Sequence, residues 1–330
     1  MKTRKSPRQQ LEITILKQGT ASKKVLSCSF FTSKEAYRYV GTYQKNLERF
    51  LYQKNRLKGF ETRIYTDDSG KEFALQAAEK DPTVSVYHYN FPPLRETVGH
   101  TGTFGTLVRF LPLFEPGLDT VWVSDIDVNN DYLDPSLPSK AKASGATFSY
   151  RTFVCYDVIP IYARPYTILA GTMISFQTFP KQLFTKFLNQ LVHPTKVLEA
   201  KIDLLNKELE KREKSASKIP YGIDEVFINT LFYDYLIKYS IRCYILKDYM
   251  KAATLLFDNK FLTKEEDTVQ FNYSKYLQPH LFHKVKQIFK KKLHLLFDKY
   301  PCLQEMLKML DSFKTSFVKF LLKTGPELEV

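Results

Sequence analysis

Between Lys24 and Ser124 the sequence alternates short apolar runs with stretches of helical period, and this alternation constrains the fold more than any other feature. Lys24 to Thr32 is an apolar run bounded by polar residues, as a buried strand requires. From Lys34 to Leu57, residues Tyr39, Tyr43, Leu47, Phe50 and Leu51 recur at spacings of three and four, an amphipathic helix closed by Lys58-Gly59. A strand at Glu61 to Tyr65, a turn at Asp67-Asp68-Ser69-Gly70, a helix at Glu72 to Glu79 and a strand at Thr83 to Tyr89 follow. Strand, helix, strand, helix, strand is the pattern of a parallel sheet with crossover helices, so an α/β fold with a Rossmann-like, nucleotide-binding half is expected. The unit then repeats, with a Gly-rich approach at His100 to Gly105, a helix over Thr106 to Phe114 and a strand at Thr120 to Ser124.

That last strand ends in Asp125-Ile126-Asp127. In extended chain, residues i and i+2 project to one side, so the two carboxylates converge beyond an apolar, buried strand. Adjacent anions raise each other's pKa unless a cation neutralises them. Oxygen ligands at a strand's carboxyl end suit Mg²⁺ or Mn²⁺, and that end of an open α/β sheet is where ligands bind. The alternative is a pair of solvated turn residues or helix caps. Two other metal chemistries fit poorly. A haloacid-dehalogenase-like phosphatase carries its Asp-x-Asp on the first core strand and a later Gly-Asp, whereas three strands precede this pair and the chain has no Gly-Asp. A polymerase-type nucleotidyltransferase has Gly-Ser shortly before the pair, and no Gly-Ser occurs here.

Beyond Ser124 the pattern is less regular. Strand-like runs at Ala146 to Tyr150 and Thr172 to Phe176 flank a loop rich in Tyr and Pro. Leu198, Ile202, Leu205 and Leu209 alternate at four and three in a charged segment, which reads either as a short coiled-coil seam or as a helical hairpin folded on its own domain. The pattern lasts two heptads, which favours the hairpin. A helix over Ile223 to Tyr239 follows. Residues 1–20 read as a polar, basic arm, 21–280 as the main domain with an insert near 195–218, and 281–330 as a basic helical tail.

Hydrophobic residues make up 44% and charged residues 25% of the 330, which excludes global disorder. No apolar run reaches the roughly 18 residues of a membrane span, and the first segment lacks a signal peptide's core, so a cytoplasmic protein is expected. Cys28, Cys155, Cys243 and Cys302 show no Cys-x-x-Cys spacing and read as buried thiols. The net charge of +14 favours polyanionic partners. Ten lysines against Asp298, Glu305 and Asp311 put half of that surplus between Leu281 and Lys323. There Ile288, Phe289, Leu293, Leu296 and Phe297 alternate with lysines, so the tail can lie on an anionic membrane, grip phosphates, or pack its apolar side on the domain.

Taken together, GTLVRFLPLFEPGLDTVWVSDIDV, LAGTMISF and YGIDEVFINTLF resemble nucleotide-sugar-dependent glycosyltransferases of the GT-A fold. The retaining galactosyl- and glucosyltransferase type, and related enzymes of large viruses and microbes, are most similar. The resemblance spans about residues 24 to 245 and leaves 195 to 218 unmatched. It implies a mixed, mainly parallel Rossmann-like sheet flanked by helices, with a helical C-terminal extension. It also implies a hexosyltransferase that moves a sugar from a nucleoside diphosphate donor, UDP by preference, to a glycan, protein or lipid-linked acceptor. No specific nucleic-acid partner is expected.

Carried over by position, the resemblance implies that Asp125 and Asp127 hold Mn²⁺ or Mg²⁺ on the sugar diphosphate. Arg109 would approach the donor sugar and its phosphates, a task suited to a bidentate guanidinium. Phe30, Phe31 and Thr32, with Tyr37 and Tyr39, lie where the family reads base and ribose, although core packing is the commoner fate of such rings. Ala170-Gly171-Thr172 matches the family's small-residue turn against the donor sugar. Asp224 and Glu225 match the acidic or amide pair at the reaction centre, and helix capping is their ordinary role. Glu225 stands where an amide is frequent, so the stereochemical outcome stays open. The family's late His-x-x-Gly-x-x-Lys metal setting is missing, leaving His280 and His283 as candidates for a third ligand, of which His283 is carried forward. The competing function is a non-catalytic protein that binds anionic membrane or nucleic acid through its basic C-terminal helices.

Overall fold

The computed structural model describes residues 10–32, 40–127, 133–153, 167–210, 216–248 and 264–270. Along the chain these form β1 (Glu12–Lys17), β2 (Lys24–Ser29), α1 (Val40–Lys54), β3 (Glu61–Thr66), α2 (Lys71–Ala78), β4 (Val84–Asn90), a one-turn α3 (Gly105–Val108) and β5 (Thr120–Ser124). There follow α4 (Leu137–Ala143), β6 (Phe148–Phe153), β7 (Thr172–Ser175), α5 (Lys181–Val192), α6 (Lys196–Glu210), α7 (Ile223–Phe227), α8 (Tyr233–Lys238), β8 (Arg242–Asp248) and β9 (Lys264–Gln270).

The strands make one mixed sheet in the order β1-β4-β3-β2-β5-β7-β6-β8-β9. β2 pairs in parallel with β3 and β5, β3 with β4, and β6 with β8. β1, β7 and β9 run against their neighbours. The chain builds outward from β2 through β3 to β4, then returns to lay β5 on the other side of β2. Connections therefore leave β2 and β5 in opposite directions, and the crevice beyond their carboxyl ends is the topological switch point where open α/β sheets bind ligands. The result is the mixed, Rossmann-like α/β fold expected from the alternation.

Strand alternation divides the apolar residues between two layers. Leu26, Cys28, Ile64, Val86 and Trp122 face one side and pack with Leu47 and Phe50 of α1, Ala74 and Ala78 of α2, and Ala141 of α4. Tyr65, Tyr89, Val121 and Val123 face the other and join the larger core with Phe184 and Phe187 of α5, Leu205 of α6 and Phe227 of α7. Cys28 and Cys243 are buried free thiols. No helix among the described residues is long and apolar enough to cross a membrane.

The structure corrects the sequence reading in several places. Glu12–Lys17, read as part of a loose arm, is an edge strand antiparallel to β4. Its two isoleucines alternate with polar residues but stay exposed, so its burial pattern carries no strand signal. The expected helix Thr106 to Phe114 breaks into α3 and a 3-10 turn at Leu111–Phe114. Pro112 lacks an N–H and disfavours helical backbone at Leu111, which explains the break. The helix expected over Ile223 to Tyr239 is continuous but contains a π turn, Ile228–Phe232. β8 and β9 had no counterpart in the sequence reading.

The two readings of residues 196–210 are separated by packing. Leu198, Leu205 and Leu209 of α6 are buried, Leu198 and Leu205 in the larger core, and Val197 and Leu204 are exposed. This is a helix folded on its own domain. Leu205→Ala is accordingly expected to cost about 2–4 kcal/mol in urea unfolding with no change in oligomeric state. A shift in sedimentation with unchanged stability would restore the coiled-coil seam.

Candidate functional site

β5 delivers Asp125 to the switch point. The Asp125 N–H donates to the Gly171 carbonyl at 2.9 Å, and Ile126 turns into the second core while Asp127 stays exposed. The carboxylates on either side of a buried residue thus both face out. Asp125 is one-third exposed and its Oδ1 lies 2.6 Å from Arg109 Nη1.

Arg109 ends α3 and is 3% exposed. Its Nη2 donates to Asp224 Oδ2 at 2.8 Å and to the Ala170 carbonyl at 3.1 Å. The Ser27 hydroxyl of β2 donates to the Arg109 carbonyl at 2.6 Å, holding the end of α3 against the sheet. The planar fork therefore joins α3 to β5, the turn before β7 and the start of α7, while the Arg109 backbone is held to β2. Bidentate geometry is what arginine supplies and lysine does not. Burial works against the Arg109 charge, but Asp125 and then Asp224 more than restore it, and its pKa stands above the ordinary arginine value.

Asp224 enters from Gly222, whose φ of 92° starts α7. Its Oδ1 accepts the Glu225 N–H in the first turn of α7 at 3.0 Å while Oδ2 takes Arg109. Burial raises the Asp224 pKa; Arg109 opposes this and Asp125 adds to it, and the net direction is up. Asp125 heads the attractive influences on Arg109, so Asp224 competes for a cation already engaged.

The glycine-rich loop is braced from both ends. His100 Nε2 accepts the Phe91 N–H at 2.9 Å, which places the ring proton on Nδ1, directed at Asp67 Oδ2 at 3.0 Å. Asp67 Oδ1 accepts the Ser69 N–H and hydroxyl, and Ser69 Oγ accepts the Thr32 N–H. Thr103 donates its N–H to Ile219 O and its hydroxyl to Pro220 O, tying the loop to the approach to Asp224. A Cβ on Gly102, at φ 52°, would lie 2.1 Å from Ile219 O, which is why glycine stands there.

Of the residues singled out in the sequence, Arg109, Asp125, Ala170, Gly171 and Asp224 meet through these bonds, and Asp127 and Glu225 adjoin them in the chain. Arg109 lies behind the two carboxylates with both terminal nitrogens engaged. Thr172 is buried, its hydroxyl taken by Trp122 Nε1 at 2.9 Å. The rings of Phe30 and Phe31 are buried, Phe30 stacked on Tyr43 and Phe31 against Gly105, where no base can reach them; Thr32 remains partly exposed. Tyr37, Tyr39, His280, His283 and the basic tail lie outside the described residues. The sequence reading missed Ser27, Asp67, His100 and Asn229. A Gly-His before a Gly-rich loop and an Asp at the end of β3 were the available signals.

Among the described residues no cluster of three or more metal-ligating side chains occurs. The pair Asp125 and Asp127 nevertheless fits a hard divalent ion, because Mg²⁺-type ions are held through one or two carboxylates with substrate phosphates completing the shell.

The raised Asp224 pKa gives a signed pH dependence. Its contribution to stability is fully present below the ordinary carboxylate pKa of about 3.9 and is lost as pH rises toward the folded-state value. Asp224→Asn should therefore gain stability relative to the parent as pH rises from 4 to 7, measured by urea unfolding. Parallel stability curves would show that Asp224 ionises at no cost.

No family model and no curated protein matches this chain. Among solved structures, 4-diphosphocytidyl-2C-methyl-D-erythritol synthase from Anaerococcus prevotii aligns over 55% of this chain and 82% of its own, at 14% identity and a TM-score of 0.33. That likeness is too slight to carry a functional argument.

Proposed function

We propose that the chain is a metal-dependent glycosyltransferase that moves a hexose from a nucleoside diphosphate, UDP by preference, to a glycan, protein or lipid-linked acceptor. The observation that carries the reading is the buried Arg109 fork, which joins the carboxylate at the end of β5 to the carboxylate at the start of α7 across the switch point. A donor diphosphate would lie beside Asp125 and Asp127, with its sugar over Ala170-Gly171 and toward Asp224 and Glu225. The preferences for UDP and for retention rest on the resemblance of the three sequence blocks.

Sugar transfer passes through an oxocarbenium-like state while negative charge grows on the departing diphosphate. Asp125 and Asp127 would hold Mn²⁺ or Mg²⁺, which supplies Lewis-acid charge to that leaving group. Arg109 keeps both flanking carboxylates in fixed positions. Its buried charge needs no reorganisation during reaction, the condition under which electrostatic stabilisation is most effective. Asp224, with its elevated pKa, is suited to take the acceptor's proton in an inverting reaction. In the retaining reaction that we favour, the hydroxyl proton passes to the leaving phosphate oxygen, and Asp224 and Glu225 orient the acceptor for front-face attack.

Titration calorimetry of UDP with Mn²⁺ and with chelator tests the assignment. Binding is expected only with metal, and Asp127→Asn should lose at least tenfold of it while apo stability holds or rises. Equal, metal-independent affinity in parent and variant would defeat the reading. Tighter binding of GDP than UDP would overturn the nucleotide preference alone.

A further inference from the structure

We infer that Asn229 is a positioning residue for this reaction centre, acting through the strap of residues 168–171; the inference rests on the glycosyltransferase reading above.

Asn229 is 2% exposed and lies in the π turn Ile228–Phe232. Its Oδ1 accepts the Ile168 N–H at 2.7 Å, and its Nδ2 donates to the Ile168 carbonyl at 2.8 Å and to the Glu225 carbonyl at 3.0 Å. A carboxamide is the side chain that offers an acceptor and two donors in one plane, so it reads both polar groups of a single peptide residue as a neighbouring strand would. The third bond returns to the helix that carries the reaction-centre acids. The adjacent Thr230 likewise returns its hydroxyl to Val226 O at 2.6 Å. Side chains thus take up carbonyls in the turn where helical bonding is offset, and π turns of this kind are frequent at functional sites.

Three residues separate Asn229's anchor from the metal-side carboxylate. Ile168 is held by Asn229, the Leu169 N–H by Arg151 O, the Ala170 carbonyl by Arg109, and the Gly171 carbonyl by the Asp125 N–H. The strap therefore sets where the Arg109 fork sits between Asp125 and Asp224. Among the described residues, Asn229 is the side chain shown to bond both to the strap and to the backbone of Glu225. Its loss should displace Asp224 and Glu225 relative to Ala170-Gly171. The end of β5 keeps its sheet pairing, so Asp125 and Asp127 should be little affected.

The test uses the full chain and three readouts: urea stability, Mn²⁺-dependent UDP affinity by calorimetry, and Mn²⁺-dependent UDP release from UDP-glucose and UDP-galactose, with water as acceptor. Asn229→Ser removes the paired bonds. Asn229→Asp keeps shape and packing but turns an oxygen toward two carbonyls, and serves should the Ser variant fail to fold. Thr230→Val removes the neighbouring side-chain bond without touching the strap. In the folded Asn229 variants, kcat for UDP release should fall about 30- to 100-fold, as sub-ångström to ångström misplacement does. UDP affinity should stay within twofold, and Thr230→Val should keep its kcat. A merely structural role lowers stability alone, so unchanged kcat in the Asn229 variants overturns the assignment. So does a loss of UDP affinity as large as the loss of kcat, or an equal loss of kcat in Thr230→Val. Wild type that binds no UDP and releases none overturns the glycosyltransferase reading itself, and the inference with it.

Discussion

The arginine at the end of α3 is the constraint around which the site is assembled. Burying a guanidinium is costly unless opposite charge and hydrogen bonds compensate, and removing one partner of a buried pair typically costs about 3–5 kcal/mol. Arg109 is answered by Asp125 from β5, Asp224 from α7 and the Ala170 carbonyl. None of these groups is close in sequence to another, so the ion network can form only when the sheet, the turn before β7 and the helix on its outer face are in register. The same bonds that make the fold specific hold two acids at the switch point. Cys28, buried and within electrostatic reach of Arg109, is pushed up in pKa by burial and stays a neutral thiol, so it adds no negative charge beside the fork.

The Rossmann-like half was legible because its signals are local. Helical spacing from Tyr43 to Leu51, the alternation across β3 to β5 and the turn at Asp67 to Gly70 each depend on neighbours in the chain. β8 was hidden because Arg242 to Asp248 has no strict alternation, and its place is set by pairing with β6 far upstream. Asp125 could be read because a carboxylate closing an apolar strand is chemically conspicuous. Asn229 could not, because an amide on a helix acquires meaning only from the peptide opposite it. Phe30 and Phe31 show the converse limit. A terminal aromatic pair fits a base-stacking site and a core equally well, and only the packing against Tyr43 and Gly105 separates them.

Asp67 illustrates how a carboxylate near the switch point can be withdrawn from ligand binding. Both its oxygens are used, one by Ser69 and one by His100, and its side chain is 1% exposed, whereas the Asp224 side chain keeps a tenth of its surface open. It orders the crossing from β3 into α2 and holds the ring that anchors the glycine loop. Through Thr103 that loop reaches Ile219 and Pro220, so the segments carrying Arg109 and Asp224 are tied together before their side chains meet. Asp125 differs in one respect that matters chemically: Arg109 bonds one of its oxygens, and the side chain keeps a third of its surface open.

The charge balance of the site runs against that of the chain. The protein carries +14, yet among the described residues Asp125 and Asp224 share one buried arginine, with Asp127 and Glu225 beside them in the chain. Among the described residues the arginine there is spent on its own carboxylates, so under the proposed function such a site would repel a bare diphosphate. A divalent ion resolves this by adding two charges where Asp127 is exposed, and it does so only when carboxylate and phosphate oxygens share it. Binding of donor and metal would then be mutually dependent, with neither held well alone. An arginine reaching directly for phosphate would give the opposite behaviour. The inward commitment of Arg109 therefore bears on the order in which ligands are taken up as well as on the shape of the centre.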